Sequence, residues 1–413
     1  MARAGNRGWV LLVSAALVLF ALPAARAADP AFQAFQQSLW PDAQKLGVQR
    51  ATFDAVTANL QPDLSLPELV IPGRAARPEP GQPEFVQKPA DYLKESVLVR
   101  LAARGRKLYA THRAALQAIE RQYGVPPDIV LAIWGRETAF GTAKLPYDAT
   151  RVLATQAYLG RRKEQFRGEF LYLLKMLSDR EAALADMRSS WAGAMGLTQF
   201  LPSEFYKYAV DFDGDGRRDI FRSVPDALAS AARQLAEKGW QKGGAWAIEV
   251  HAPRDIDCTI AEPGHTRSIA AWLRDGFVPA RGRKLRPADL VEEASLLMPE
   301  GIYGPAFLTP KNYFVLKSYN FSDLYVLFVG QLSELIGEGR PFEQRWANVR
   351  QMRTADLETI QRGLTESGFY KDKIDGKAGM KTRSALGAYQ RANGLKVDCW
   401  PSPAVLKHMQ KRR

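Results

Sequence analysis

The chain has 413 residues, a length typical of two or three domains, and 46% of them are hydrophobic, as expected for a globular protein. The formal net charge of +13 indicates an anionic partner, although a basic surface that only aids solubility explains it equally well. The four histidines lack metal-ligand spacing, which argues against a zinc amidase.

Residues 1–27 predict a secretory signal peptide. A basic start precedes an apolar run over residues 9–22, and "ARA" at 25–27 is a small-x-small cleavage site. The run is too short to span a membrane, and no cysteine follows it for a lipid anchor. We therefore expect a periplasmic protein that is not an integral membrane protein. Exported proteins rarely meet nucleic acid, so the expected anionic partner is an acidic cell-envelope polymer or a membrane surface.

Four stretches of different pattern follow. Short helices are predicted over residues 30–75, and "IPGRAARPEPGQPEFVQKP" is predicted to be loop because its five prolines forbid long regular structure. From about Tyr92 to Leu235, apolar residues at three- and four-residue spacing predict helices. Between about 245 and 314, "AWAIEVHA", "CTIA" and "EASLLMP" predict a small β-rich insertion. Helical spacing then returns in "NFSDLYVLFVGQLSELIG".

These patterns predict a mainly α (α+β) protein. Residues 28–338 are expected to form one domain, residues 339–353 a linker, and residues 354–413 a separate unit of three helices. The two cysteines, Cys258 and Cys399, are far apart in the sequence. An oxidising compartment permits a bridge between them, but the sequence alone leaves that pairing open.

The motif "IWGRETAFG" places an acid on an apolar helix face. Pro126 and Pro127 suit a helix start, and Ile129, Ile133 and Glu137 then follow at four-residue spacing. Burial disfavours the charged form of a carboxyl group, so Glu137 is a candidate proton donor near neutral pH. Glycines at 135 and 141 are expected to leave room for a ligand or another backbone segment. A solvated or capping glutamate is the alternative.

A second motif, "SSWAGAMGLTQF", packs small residues, a serine and a glutamine into a tight turn. Together the two motifs resemble lytic murein transglycosylases of the membrane-bound B type, in the lysozyme-like superfamily. The resemblance covers about residues 29–336 and implies a lysozyme-like fold. It also implies that Glu137 is the sole catalytic acid and base. The residues that it implies line the sugar cleft are Ser190, Gln199 and, from "SYNFSDLY", Tyr319, Asn320 and Tyr325.

The resemblance implies cleavage of the bond between N-acetylmuramic acid and N-acetylglucosamine in peptidoglycan glycan strands, with a 1,6-anhydro product and no catalytic cofactor. A hydrolytic muramidase is one alternative, and would need a second carboxylate such as Asp148, Glu164 or Asp211. A catalytically silent scaffold that binds the wall is the other. We expect the protein to be a monomer.

The motif "DFDGDGRRD" matches part of an EF-hand loop. Asp211, Asp213, Asp215 and the backbone carbonyl of Arg217 occupy positions 1, 3, 5 and 7. Position 12 is an arginine instead of the expected glutamate, so Asp226 is the candidate to close the loop. Two interpretations stay open: one structural Ca²⁺, or an empty Asp/Gly turn.

The C-terminal unit resembles the three-helix peptidoglycan-binding module of type one, through "IDG", "KTRSAL" and "YQ". Such a module retains an enzyme on its polymer. Cys399 stands where that family usually carries glycine, so the local turn is open to question. A helical protein-interaction domain is the alternative interpretation.

Overall fold

The computed structural model describes residues 29–74, 83–347 and 349–411. The predicted signal peptide therefore lies outside the described residues, as does the middle of the proline-rich stretch. Within the described part of the chain, no helix combines the length and the apolar character needed to cross a membrane.

The N-terminal third consists of short helices followed by a helical core. Asp29 caps the first helix by accepting bonds from the backbone N–H groups of Ala31 and Phe32. Two short helices also occur in the segment predicted to be loop, because its prolines lie at first helical positions, where proline is tolerated. The helices up to the first active-site motif are α1 (Pro30–Ser38), α2 (Trp40–Lys45), α3 (Arg50–Thr57), α4 (Pro83–Val86), α5 (Pro89–Tyr92), α6 (Glu95–Thr111), α7 (Arg113–Tyr123) and α8 (Pro127–Thr138).

The next helices complete the large helical region. Two large apolar clusters hold it together, one around α6, α8 and α16 (Asp323–Gly337) and the other around α9 (Ala149–Leu159) and α10 (Lys163–Ser178). A two-stranded antiparallel ribbon pairs β1 (Tyr147–Asp148) with β2 (Arg188–Ser189). The other helices of this region are α11 (Pro202–Tyr208), α12 (Val224–Glu237) and α15 (Lys311–Lys317), whereas α13 (Ile269–Arg274) and α14 (Pro287–Leu290) pack in the core of the β-rich insertion.

The predicted β-rich insertion is present. Its antiparallel sheet has five strands in the spatial order β4 (Arg267–Ser268), β6 (Glu293–Leu297), β8 (Ala306–Thr309), β3 (Ile248–His251) and β5 (Val278–Pro279), and it packs against a small apolar core of its own. The segment "CTIA" forms a short 3₁₀ helix instead of a strand, because the Asp257 carboxylate accepts the Thr259 backbone N–H and tightens a turn there. A further strand, β7 (Pro299–Ile302), lies between β6 and β8 in the sequence but is not part of this sheet.

The C-terminal unit contains three helices, α17 (Thr354–Glu366), α18 (Met380–Ala392) and α19 (Pro403–Lys411), around its own apolar core. Together with the helical region and the small sheet, this confirms the predicted mainly α fold class. The segment before α17 has no helix or strand among its described residues, but its Phe342 and Trp346 pack on the catalytic core.

A disulfide joins Cys258, in the β-rich insertion, to Cys399, in the C-terminal unit. It settles the pairing that the sequence left open. Cys399 has a φ of 53°, in the left-handed region that glycine favours. The turn therefore keeps a backbone conformation typical of glycine, although a cysteine occupies the position.

Candidate active site

Glu137 lies in the last turn of α8, whose preceding residues Ile129 and Ile133 are buried. The helix begins where its prolines predict and ends where Ala139, Phe140 and Gly141 adopt left-handed φ values of 47°, 59° and 75°. Such conformations in residues other than glycine persist only when their surroundings impose them. The centroids of the Phe140 and Trp134 rings lie 5.4 Å apart, and this contact stabilises the chain reversal that follows α8.

The two glycines of the motif have different roles. A Cβ at Gly135 would lie 2.7 Å from the Phe140 ring, so the absent side chain admits Phe140 instead of the ligand we expected. Gly141 has the positive φ that the sharp turn requires. The room that we expected at Gly135 for a ligand or another backbone segment is therefore occupied by a side chain instead.

The first motif is bonded directly to the second. The Thr138 hydroxyl donates to the Leu197 carbonyl at 2.7 Å, which fixes the end of α8 against the "AGAMG" loop. In that loop, the Ser190 hydroxyl accepts the backbone N–H groups of Ala192 (3.3 Å) and Ala194 (3.2 Å). Ser190 is half-buried and keeps its own proton available for donation.

Gln199 lies at the far end of the same loop, in a left-handed conformation with φ of 59°. Its side-chain amide donates to the Gly196 carbonyl at 3.1 Å, and the residue is half-buried. The loop thus holds Ser190 and Gln199 through its own backbone, before any ligand is bound.

The Tyr325 hydroxyl donates to Glu137 Oε1 at 2.6 Å. Burial raises the pKa of Glu137 to about 7, while this hydrogen bond and the charge of Arg136 oppose the rise. The carboxylates of Glu84 and Glu204 add to it. Glu137 nevertheless keeps part of its surface open, so a substrate atom can reach it. A half-protonated carboxyl at neutral pH is suited both to donate and to accept a proton.

The two predicted tyrosines stack on each other, with ring centroids 6.4 Å apart and planes 7° from parallel. Tyr325 is 1% exposed, so its ring face is not open to a sugar and it acts on the cleft through its hydroxyl group, which contacts Glu137. Tyr319 is half-buried, and its hydroxyl donates to the Thr198 carbonyl at 2.6 Å. The half-buried Asn320 accepts the Ser322 backbone N–H and lies 3.5 Å from a Glu84 carboxylate oxygen.

Two charged residues that act on Glu137, Arg136 and Glu84, were not singled out from the sequence. Arg136 donates twice to the Tyr92 hydroxyl, at 3.0 and 2.5 Å, and lies over the Tyr92 and Phe328 rings. Its position next to Glu137 in the motif is the signal that could have identified it. Glu84 lies in the proline-rich segment, where no periodicity marked it.

The carboxylates considered for a hydrolytic mechanism have other partners or surroundings. Asp148 caps α9 by accepting the Thr150 and Arg151 backbone N–H groups, and Glu164 is exposed on α10. Asp211 belongs to the aspartate loop and accepts the backbone N–H groups of residues 214, 215 and 216. The carboxylates whose charge acts on Glu137 are instead Glu84 and Glu204.

The aspartate loop brings together three of its predicted ligands. Carboxylate oxygens of Asp211, Asp213 and Asp226 all lie within 4.8 Å of one another. Asp226 is buried and also accepts the backbone N–H groups of residues 212, 213 and 219, which ties the loop to α12. Asp215 is outside this group, and its carboxylate accepts the Arg217 backbone N–H. An all-oxygen donor set of this kind fits a hard divalent cation.

Comparison with known proteins identifies the family. The Transglycosylase SLT domain family matches residues 31–334. The chain belongs to this family. The peptidoglycan binding domain family matches residues 353–409, which include α17, α18 and most of α19.

Membrane-bound lytic murein transglycosylase B of Escherichia coli K12 is 32% identical over 232 residues, or 55% of this chain. The chain spans 61% of the length of that relative. SltB3 of Pseudomonas aeruginosa, crystallised with NAG-NAM-pentapeptide, is 35% identical with a TM-score of 0.82, over 92% of this chain and 99% of that one. The Escherichia coli transglycosylase Slt35 in complex with calcium is 28% identical, with a TM-score of 0.52, over 62% of this chain and 81% of that one.

Proposed function

We propose that this chain is a lytic transglycosylase that cleaves the β-1,4 bond between N-acetylmuramic acid and N-acetylglucosamine in peptidoglycan. The proposal rests on the environment of Glu137. Its carboxyl group has a pKa of about 7 and accepts a hydrogen bond from the Tyr325 hydroxyl at 2.6 Å, beside the loop that carries Ser190 and Gln199. Family membership and the likeness to SltB3 support the same reaction.

The proposed reaction uses one protein group for both proton transfers. Protonated Glu137 donates to the glycosidic oxygen, and the bond from that oxygen to muramic acid C1 breaks while the N-acetyl group assists departure. The Glu137 carboxylate then accepts the proton of the muramyl 6-hydroxyl, whose oxygen attacks C1. The 1,6-anhydro ring forms, Glu137 regains its proton, and no water is consumed.

The first test replaces Glu137 with glutamine, which keeps the shape of the side chain and cannot exchange a proton. We expect Glu137→Gln to lose release of anhydro-muropeptides from purified sacculi while remaining folded. Glu164→Gln, an exposed acid on α10, is the matched control and should retain wild-type release. Substantial cleavage by the Glu137→Gln protein would exclude Glu137 as the sole acid and base.

A hydrolytic muramidase is the second candidate, because the charge of Glu84 acts on Glu137. In that mechanism a second carboxylate activates water or forms a covalent intermediate, and the product has a reducing muramic acid end. Mass spectrometry separates the two functions, since the anhydro product is lighter by one water molecule.

We propose that the aspartate loop binds one structural Ca²⁺ through Asp211, Asp213 and Asp226. The mutual approach of their carboxylates within 4.8 Å supports this, as does the calcium complex of Slt35. We expect saturable Ca²⁺ binding in calorimetry that Asp211→Ala weakens strongly. A heat of binding that this substitution leaves unchanged would contradict the assignment.

We propose that the C-terminal module retains the enzyme on glycan strands and that the protein acts in the periplasm as a monomer. The family match over residues 353–409 supports retention, and the sequence of residues 1–27 supports export to the periplasm. Co-sedimentation with sacculi, with and without residues 354–413, tests retention, and unchanged binding by the truncated chain would contradict it.

A further inference from the structure

The C-terminal module is fixed against the catalytic region at several points. Met380, the first residue of α18, belongs to the main catalytic core. The Ser384 hydroxyl donates to the Thr259 carbonyl at 2.6 Å, and the disulfide of Cys258 and Cys399 crosses the same boundary. A module that was joined to the catalytic region only by a flexible linker would not make these contacts.

One of these contacts is a buried ion pair. Arg383 Nη2 of α18 lies 3.3 Å from Asp323 Oδ2, and the two side chains are only 7% and 10% exposed. The guanidinium also donates to the Ala378 carbonyl, which holds it within its own module. Breaking a buried pair is costly, since the remaining charge is left without its partner.

Asp323 is the first residue of α16. Its carboxylate also accepts the Tyr313 hydroxyl at 2.7 Å and a bond from Lys317. Burial by itself would raise the pKa of Asp323, but Lys317 and Arg383 outweigh it and hold the pKa well below its usual range. Asp323 is therefore a fixed negative charge at a helix N-terminus, where such a charge is favourable.

The same helical turn carries Tyr325, whose hydroxyl bonds to Glu137. Ser322 caps this turn by accepting the Leu324 and Tyr325 backbone N–H groups. A shift of the turn would therefore move the Tyr325 hydroxyl relative to Glu137. Displacements of about 1 Å in an active site can cost on the order of a hundredfold in rate.

We infer that Arg383 of the C-terminal module is a positioning residue for the proposed reaction. Through Asp323 it fixes the first turn of α16 and so holds the Tyr325 hydroxyl on Glu137. The module then has a second role beyond retention, because it completes the active site to which it is docked. This inference rests on the proposed function.

The kinetic test uses the full-length protein on short soluble peptidoglycan fragments and on sacculi. We expect Arg383→Met to lower kcat on the soluble fragments by roughly tenfold to a hundredfold, with a smaller change in KM. Arg383→Lys, which keeps the positive charge, should recover much of the loss. Should the Met variant fail to fold, Arg383→Gln takes its place.

The matched control is Arg391→Met. Arg391 forms an ion pair with Asp257 across the same boundary, but the side chains are 53% and 40% exposed and neither belongs to α16. We expect its kcat to equal that of the wild type. If the module only retains the enzyme on its polymer, Arg383→Met should leave kcat on soluble fragments unchanged. The substitution would then change only the KM measured on sacculi. That result, or an equal loss in Arg391→Met, would overturn the inference.

A second readout does not depend on the reaction. Titration of the Glu137 carboxyl by carbon-13 NMR should show a higher pKa in Arg383→Met than in the wild type, because the Tyr325 bond that lowers it is loosened. An unchanged titration would contradict the inference even if the protein proved to be a hydrolase. Absence of anhydro product from the wild type, with a shifted titration, would instead contradict the proposed function alone.

Discussion

Replacing Glu137 with glutamine should make the protein more stable at neutral pH. In the folded state the pKa of Glu137 is raised from its ordinary value of 4.5 to about 7, mainly because the carboxyl group is buried. Between these values the folded protein holds a proton that the unfolded chain has released. Raising the pH through this window therefore lowers the free energy of unfolding of the wild type. The glutamine variant lacks this dependence.

The size of the effect follows from the shift. One pKa unit corresponds to about 1.4 kcal/mol, so a shift of about 2.5 units sets an upper limit of roughly 3 kcal/mol at pH values above 7. Glu137 is partly open to solvent, which reduces the penalty, and we expect about 1–2 kcal/mol. Below pH 4.5 the two proteins should be nearly equal in stability, since both then carry a neutral group.

Urea denaturation at pH 4, 5, 6, 7 and 8 measures this difference for the wild type and Glu137→Gln. Glu164→Gln serves as the control for a change of charge at an exposed site, and its effect should be within about 0.5 kcal/mol. A difference that does not grow between pH 4.5 and 7 would refute the argument that burial keeps Glu137 protonated.

Three further results are expected. Tyr325→Phe removes a hydrogen bond that lowers the pKa of Glu137, so the alkaline limb of kcat/KM should move up by about one pH unit; a downward shift would contradict the geometry. Glu84→Gln removes a negative charge, so that limb should move down while anhydro product is still formed, whereas loss of cleavage would favour the hydrolytic mechanism. Reduction of Cys258–Cys399, or Cys399→Ser, should lower stability by roughly 2–5 kcal/mol in urea denaturation, and an unchanged midpoint would exclude a stabilising bridge.

Local signals in the sequence predicted the helix that carries Glu137. The prolines at 126 and 127 mark its start, and Ile129 and Ile133 mark the face that the acid shares. Both signals depend only on residues within about one helical turn of each other, so the sequence alone is enough to predict this helix. The C-terminal helices were predictable for the same reason.

Contacts between distant segments were not predictable. Tyr325 is 188 residues from Glu137, and the motif that named it did not reveal that its hydroxyl points at the acid. The two cysteines are 141 residues apart, and their pairing depends on how the C-terminal module docks. Glu84 lies among prolines, where no hydrophobic period indicates which side chains face inward. Each of these features is decided by tertiary packing.

The central claim is that one carboxyl group, Glu137, moves the proton in both directions while the sugar's own hydroxyl closes the ring. Digestion of sacculi in ¹⁸O-labelled water, followed by mass spectrometry of the released muropeptides, tests it most directly. We predict 1,6-anhydromuramic acid ends that contain no label. Reducing muramic acid ends that carry one ¹⁸O atom would show that water is the attacking group and would contradict the claim.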